Sequence, residues 1–202
     1  MKILITTDVY AAATNGVVTS VRNLTEELRN KGHDVRILTI SDKEKSYYDG
    51  SVYYIRSAPI GIYPDIRMPT SYRHHFIKEL IDWKPDVIHS QCEFFSFQFA
   101  LRISKKTGAP IVHTYHTLYE QYAAYVIPYE RLGNWLVRVL SWKRLKRVRM
   151  IIVPTHKVEY TLQGYGINKP ICIIPSGISL EQHKMCITPE ERMQKKKSIG
   201  HR

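Results

Sequence analysis

Short apolar runs alternate with amphipathic stretches along the whole chain. Ile3-Leu4-Ile5 is uniformly apolar, the pattern of a strand covered on both faces. Small and turn-forming residues follow, ending at Asn15-Gly16. Val17, Val18, Val21, Leu24 and Leu28 then recur at helical spacing, with Arg22, Glu26, Glu27 and Arg29 between them. The first thirty residues thus predict a strand, a tight loop and a helix. Gly32 follows that helix and suits a left-handed C-cap. The same reading predicts strands at 35–40, 52–55, 85–90, 111–117, 150–153 and 171–174. It predicts helices near 71–83, 94–107, 129–146 and 155–165. Segments 41–50 and 59–69 read as loops. Near-strict alternation of strand and helix implies an α/β fold, a parallel sheet with helices on both faces.

Parallel sheets place their ligands beyond the carboxyl ends of the strands. The loop before Gly16 lies there. Two readings of it stand side by side: a plain strand-to-helix turn, or a phosphate-binding loop. In the second, Gly16 lets a ligand approach the backbone, and Thr19, Ser20 and the free N–H groups of the helix start hold the anion. The spaced glycines of a dinucleotide site are absent, as is the Walker pattern.

Composition adds three points. The chain carries 30 Lys and Arg against 18 Asp and Glu, a formal charge of +12. Such an excess favours an anionic partner: nucleic acid, a phosphorylated ligand or an anionic membrane. No apolar run approaches the roughly 20 residues of a membrane span, and a core strand at the N-terminus argues against a signal peptide. Cys92, Cys172 and Cys186 are widely spaced. Cys92 and Cys172 lie in or beside apolar runs and read as reduced core thiols of a cytosolic protein.

Candidate chemistry collects at the predicted strand ends: Asp8, His89, Glu93, His116 and Glu120. His113 and His116 lie three apart, so strand alternation sends them to opposite faces. His113 is expected under a helix, and His116 at the edge, as a site residue or a structural histidine. His74 and His75 are expected on different helix faces, a poor metal pair. No HExxH, CxxC, Asp-x-Asp or GxSxG pattern occurs, so metal catalysis and serine hydrolysis find no support in these residues.

The segment 131–149 has no acidic residue. Trp135, Val139, Trp142 and Leu145 are expected to form one apolar stripe. Arg138, Lys143, Arg144, Lys146, Arg147 and Arg149 crowd the remainder. This is the pattern of an interfacial membrane helix, and equally that of a core-packed helix with a solvated basic side.

Taken together, these motifs resemble the N-terminal half of GT-B glycosyltransferases of family 4. The resemblance rests on Thr7-Asp8-Val9-Tyr10 through Asn15-Gly16-Val17, on Lys31-Gly32-His33-Asp34-Val35, and on Pro85-Asp86-Val87-Ile88-His89 with Glu93-Phe94. The most telling piece is His113-Thr114-Tyr115-His116-Thr117-Leu118-Tyr119-Glu120; Val153-Pro154-Thr155 and Ile174-Pro175-Ser176-Gly177-Ile178 complete it. Within the family the chain is similar to bacterial enzymes that glycosylate diacylglycerol.

The resemblance implies a Rossmann-like domain that holds the acceptor, facing a second domain that holds the nucleotide sugar, often UDP-glucose. It implies transfer with retention of configuration, and no metal or other cofactor. It maps Asn15, Gly16 and Val17 to the donor phosphate and sugar, and His116 to the transferred sugar. Asp8, His89, Glu93, Tyr119 and Glu120 are then the acceptor-side cleft. Arg138, Trp142, Lys143, Arg144, Lys146 and Arg147 are the membrane contact. Ala12 stands where the family usually has proline, and the family's donor-binding motif belongs to the second domain.

The expected organisation is one domain over 1–178, with 179–202 a linker and the beginning of a donor domain. The chain alone is then expected to be inactive. The expected partners are a nucleotide sugar, a lipid or sugar acceptor and an anionic membrane at the cytoplasmic face, without nucleic acid. Two alternatives belong to other classes. One is a sugar-nucleotide epimerase of the same architecture; the other is a basic, non-enzymatic interaction module.

Overall fold

A computed structural model describes residues 1–10, 16–60, 67–116 and 129–177. The first strand, β1 (Lys2–Thr7), leads to helix α1 (Gly16–Asn30) and strand β2 (Asp34–Ile40). Strands β3 (Tyr47–Tyr48), β4 (Val52–Ile55), β5 (Ser57–Pro59) and β6 (Arg67–Pro69) follow. Helix α2 (His75–Trp83), strand β7 (Val87–Ser90), helix α3 (Phe95–Thr107) and strand β8 (Ile111–Thr114) come next. Helix α4 (Glu130–Leu145), strand β9 (Met150–Val153), helix α5 (His156–Gly164) and strand β10 (Ile171–Ile173) complete the described part.

The main sheet runs in the order β10-β9-β8-β7-β1-β2-β4-β3, and every pairing is parallel except β3 with β4. Strand β1 is central, so its residues from Ile3 to Thr7 are all buried. Ile3 and Ile5 face one side, where Val21 of α1 packs with Val35, Ile37 and Val52. Leu4 faces the other, with Leu38 and Ile88 against α2, α3 and α5. Each fully buried aliphatic side chain here contributes about 1.5–3 kcal/mol. The expected parallel sheet with helices on both faces is therefore what the residues build.

Several expectations need correction. Segment 41–50 contains a strand: Tyr47 and Tyr48 pair with Tyr54 and Tyr53, ring on ring at 4.3 and 4.5 Å. A two-residue strand has no periodicity to read, and its stabilisation comes from cross-strand partners. The ends of segment 59–69 pair as the β5–β6 ribbon; residues 61–66 lie outside the described part. Helix α2 starts at His75, because Ser71 Oγ accepts from the Arg73 N–H and the His74 ring accepts from the Phe76 N–H as N-cap. Those local bonds compete with the helix. The His74 and His75 rings thereby lie close, tilted by 35° with centroids 4.2 Å apart. Among the described residues no metal-binding cluster forms.

Cys172 is exposed, not a core thiol. It sits on β10, which has only β9 beside it, and nothing among the described residues covers that face. Residues 178–202, with Cys186 and the expected linker, lie outside the described part.

Candidate functional site

The chain runs from β1 to β2 on one side and later returns to β7 on the other side of β1. Strand order therefore reverses between β1 and β7, and a crevice opens there at the carboxyl edge. The residues that follow β1, β7 and β8 are the ones this topology gathers: Asp8, Gln91 to Glu93, and Tyr115 with His116.

Asp8 points its Oδ1 at the Ser96 backbone N–H, 2.6 Å away, and so caps the start of α3. Its Oδ2 is sealed from solvent without a partner among the described residues. Burial pushes its carboxyl up to about 6, against the hydrogen bonds to Ser96 and with the nearby Glu93 charge. Asp8 as a residue is half-buried at the strand edge, but Oδ1 is engaged by Ser96 and the idle Oδ2 is closed to solvent.

Three side-chain bridges join the β7 segment to the β8 segment. His89 Nε2 meets Thr114 Oγ1 at 2.7 Å, Gln91 Oε1 meets His116 Nε2 at 2.7 Å, and Glu93 Oε1 meets His113 Nε2 at 3.0 Å. His113 is fully buried, edge-on to Phe97 of α3 at 5.7 Å, as strand alternation required. His116 lies just past the end of β8 and is half-buried. Burial lowers its pKa, with Glu93 opposing. His89 lies within β7, and burial, helped by His113 and His116, drives it down to about 3. It is a neutral cross-strand residue and does not sit at the strand end. Cys92 Sγ is 3.7 Å from Thr7 Oγ1, and burial pushes its thiol far up, so it is no nucleophile.

Gly16 opens α1 and is exposed, with Val17 half-buried behind it. Among the described residues a Cβ at Gly16 would meet nothing within 4 Å. Asn15, Tyr119 and Glu120 lie outside the described residues.

Helix α4 corrects the expected stripe. Leu145 turns inward with Ser141, whose Oγ is 3.2 Å from the buried Tyr115 hydroxyl. Trp135 and Trp142 turn outward, 57% and 41% exposed, with Leu132 and Leu140 also exposed. At about 100° per residue, 135 and 142 lie about 20° apart, and 145 and 141 follow about 60° and 100° round from 142, so the buried side of α4 begins at the edge of the expected stripe. Arg138, Lys143, Lys146 and Arg147 are exposed; Lys146 lies over the Trp142 ring at 4.2 Å. A groove of about 420 Å³ between α3 and α4 is lined by Gln98, Leu101 and Leu140 together with Lys143, Arg144, Lys146 and Arg147. Arg144 departs from the expected membrane set. It is half-buried, donates to the Glu93 backbone carbonyl and lies 5.9 Å from the Phe94 ring. Among the described residues no helix is long and apolar enough to cross a membrane.

Gln91 went unnoticed in the sequence, and Thr114 was given no role of its own. The available signal was position: Gln91 is the first residue beyond β7, on the edge where ligands sit.

The family model for Glycosyltransferase Family 4 matches residues 14–182. The chain is 30% identical over 199 residues to an alpha-monoglucosyldiacylglycerol synthase from Streptococcus pneumoniae, covering 98% of this chain and 45% of that protein. It is 31% identical over 211 residues to a synthase of the same name from Acholeplasma laidlawii, covering 100% and 53%. The chain thus spans about half the length of these curated relatives. Among solved structures, the catalytic domain of Starch Synthase IV from Arabidopsis thaliana, bound to ADP and acarbose, superposes with a TM-score of 0.53. It is 17% identical, covering 93% of this chain and 53% of that one, a likeness of fold.

Proposed function

Because the chain belongs to glycosyltransferase family 4, we propose that it is the acceptor-side domain of a glycosyltransferase. The enzyme moves glucose from UDP-glucose to a diacylglycerol-type lipid at an anionic membrane surface, with retention of configuration. The observation that carries the lipid half is the outer face of α4, where Trp135 and Trp142 stand among exposed cations. Aromatic rings seated at the headgroup level and cations drawn to anionic lipid are what an interfacial helix uses. The relatives' printed names, as synthases of a glucosylated diacylglycerol, point to the same acceptor.

At the sheet edge, Asp8 belongs to the acceptor-side cleft and His116 orients the transferred sugar. The α1 N-terminus at Gly16 supplies N–H donors to the phosphate that departs with negative charge. One wall of such a site lies in this chain. The chain alone is expected to bind UDP-glucose weakly and to transfer nothing, since reaction needs both substrates held in fixed geometry.

The test is glucose transfer from UDP-glucose to diacylglycerol in vesicles, by a protein carrying this domain together with a donor-binding domain. His116→Ala should lower turnover by about 10²-fold or more at saturating donor, with cooperative unfolding retained. Near-normal turnover would return His116 to a structural role. Transfer to a soluble sugar, with none to lipid, would overturn the acceptor.

A further inference from the structure

Gln91 is 2% exposed, and its backbone N–H is held by the Thr6 carbonyl at 2.8 Å. Its side chain therefore leaves from a fixed point beside the central strand. Its Oε1 is the atom that lies 2.7 Å from His116 Nε2. With that oxygen facing the ring the carboxamide accepts, which places the imidazole proton on Nε2; the Gln91 amide nitrogen is buried without a partner among the described residues. In a neutral ring the other nitrogen, Nδ1, then carries a lone pair. No described residue bonds that Nδ1. Burial favours the neutral ring at pH 7. The titratable groups that act on it are Glu93 and His113, with His89 beside them.

We propose that Gln91 is a positioning residue that locks His116 in its Nε2–H tautomer, leaving Nδ1 to accept from a hydroxyl of the transferred sugar. The sugar half of this statement rests on the function proposed above; the tautomer half does not. The physical logic is that of a ring whose second nitrogen is committed by a fixed partner. An unheld imidazole would divide between two tautomers and two ring orientations. Only one of these presents an acceptor to the cleft.

The tautomer is measured on the ¹⁵N-labelled 202-residue chain at pH 7.5, by long-range proton–nitrogen correlation of the histidine rings. His116→Ala assigns the His116 signals among the nine histidines. The expected result is a protonated Nε2 and a bare Nδ1. Gln91→Leu should erase that preference. Gln91→Glu should keep the Nε2–H tautomer and move the ring's titration to higher pH, because the new carboxylate favours the imidazolium. In the protein completed with a donor domain, Gln91→Leu should lower kcat about tenfold, the worth of about one hydrogen bond, with little change in KM. Gln91→Glu should recover the rate at alkaline pH only. A proton on Nδ1 in the unmodified chain, or an unchanged His116 spectrum in Gln91→Leu, overturns the proposal. Should Gln91→Leu fail to fold, the unmodified and Gln91→Glu spectra decide. If the ring behaves as expected but the completed protein transfers no sugar, the lock stands and the sugar-facing half falls with the function.

Discussion

The carboxylate of Asp8, at the end of β1, caps α3 across 88 positions of sequence, Oδ1 to the Ser96 N–H at 2.6 Å. The central strand and the helix beginning beside the crevice are thus tied by a group held in an unfavourable setting. Burial raises its pKa from 3.8 to about 6. A carboxyl whose folded pKa lies above its unfolded value stabilises the fold below the lower value. That contribution is lost as pH rises through the upper one.

Asp8→Asn keeps an oxygen for Ser96 and removes the charge. At pH 7.5 it should raise unfolding stability by about 1–3 kcal/mol, with the gain gone near pH 4. Urea unfolding at both pH values checks this. Stability gained together with glucose transfer lost would mark Asp8 as a carboxylate kept for function at the expense of the fold.

His89 works in the opposite sense. Its pKa falls from 6.5 to about 3, so its contribution is full above 6.5 and is lost progressively as pH falls towards 3. Between pH 7.5 and 5 the chain should lose about 2 kcal/mol through this residue. His89→Gln, which keeps a polar partner for Thr114, should flatten that part of the stability profile. An unchanged slope between pH 7.5 and 5 would show that His89 is not its source.

Arg144 joins α4 to the Glu93 carbonyl and the Phe94 ring. Arg144→Met should cost about 1–3 kcal/mol and lower Tm by several degrees, at roughly 2–4 °C per kcal/mol for a chain of this size. Charge reversal intended to probe the membrane must therefore leave Arg144 in place.

Vesicle binding is the sharper test of the outer α4 face. Trp83 is 8% exposed and bonded to Asp34, whereas Trp135 and Trp142 are open. Anionic vesicles should shift tryptophan fluorescence to the blue, and salt should reverse the shift. Reversal of Arg138, Lys143, Lys146 and Arg147 to Glu should abolish it without loss of helical circular dichroism, each cation being worth about 1 kcal/mol. Equal response to neutral vesicles would remove the electrostatic part.

The sequence by itself determined the alternation of elements, because buried parallel strands must be apolar on both faces and α1 must show one apolar stripe. It also placed His113 under a helix and His116 at the edge, since a strand sends residues three apart to opposite sides. It read the Gly32 cap, whose φ of 78° is a left-handed conformation. Tertiary structure alone decided the rest. Tyr47-Tyr48 became a strand only because Tyr53 and Tyr54 stand opposite. Arg144 turned inward while Lys143 and Lys146 stayed out, through the rotation of α4 about Ser141 and Leu145. Gln91 met His116 because β7 and β8 are neighbours in register, His89 beside Val112 and Ser90 beside His113. A helix or strand reports its own apolar face through spacing, but which polar side chain faces which depends on strand order, and no local pattern encodes that.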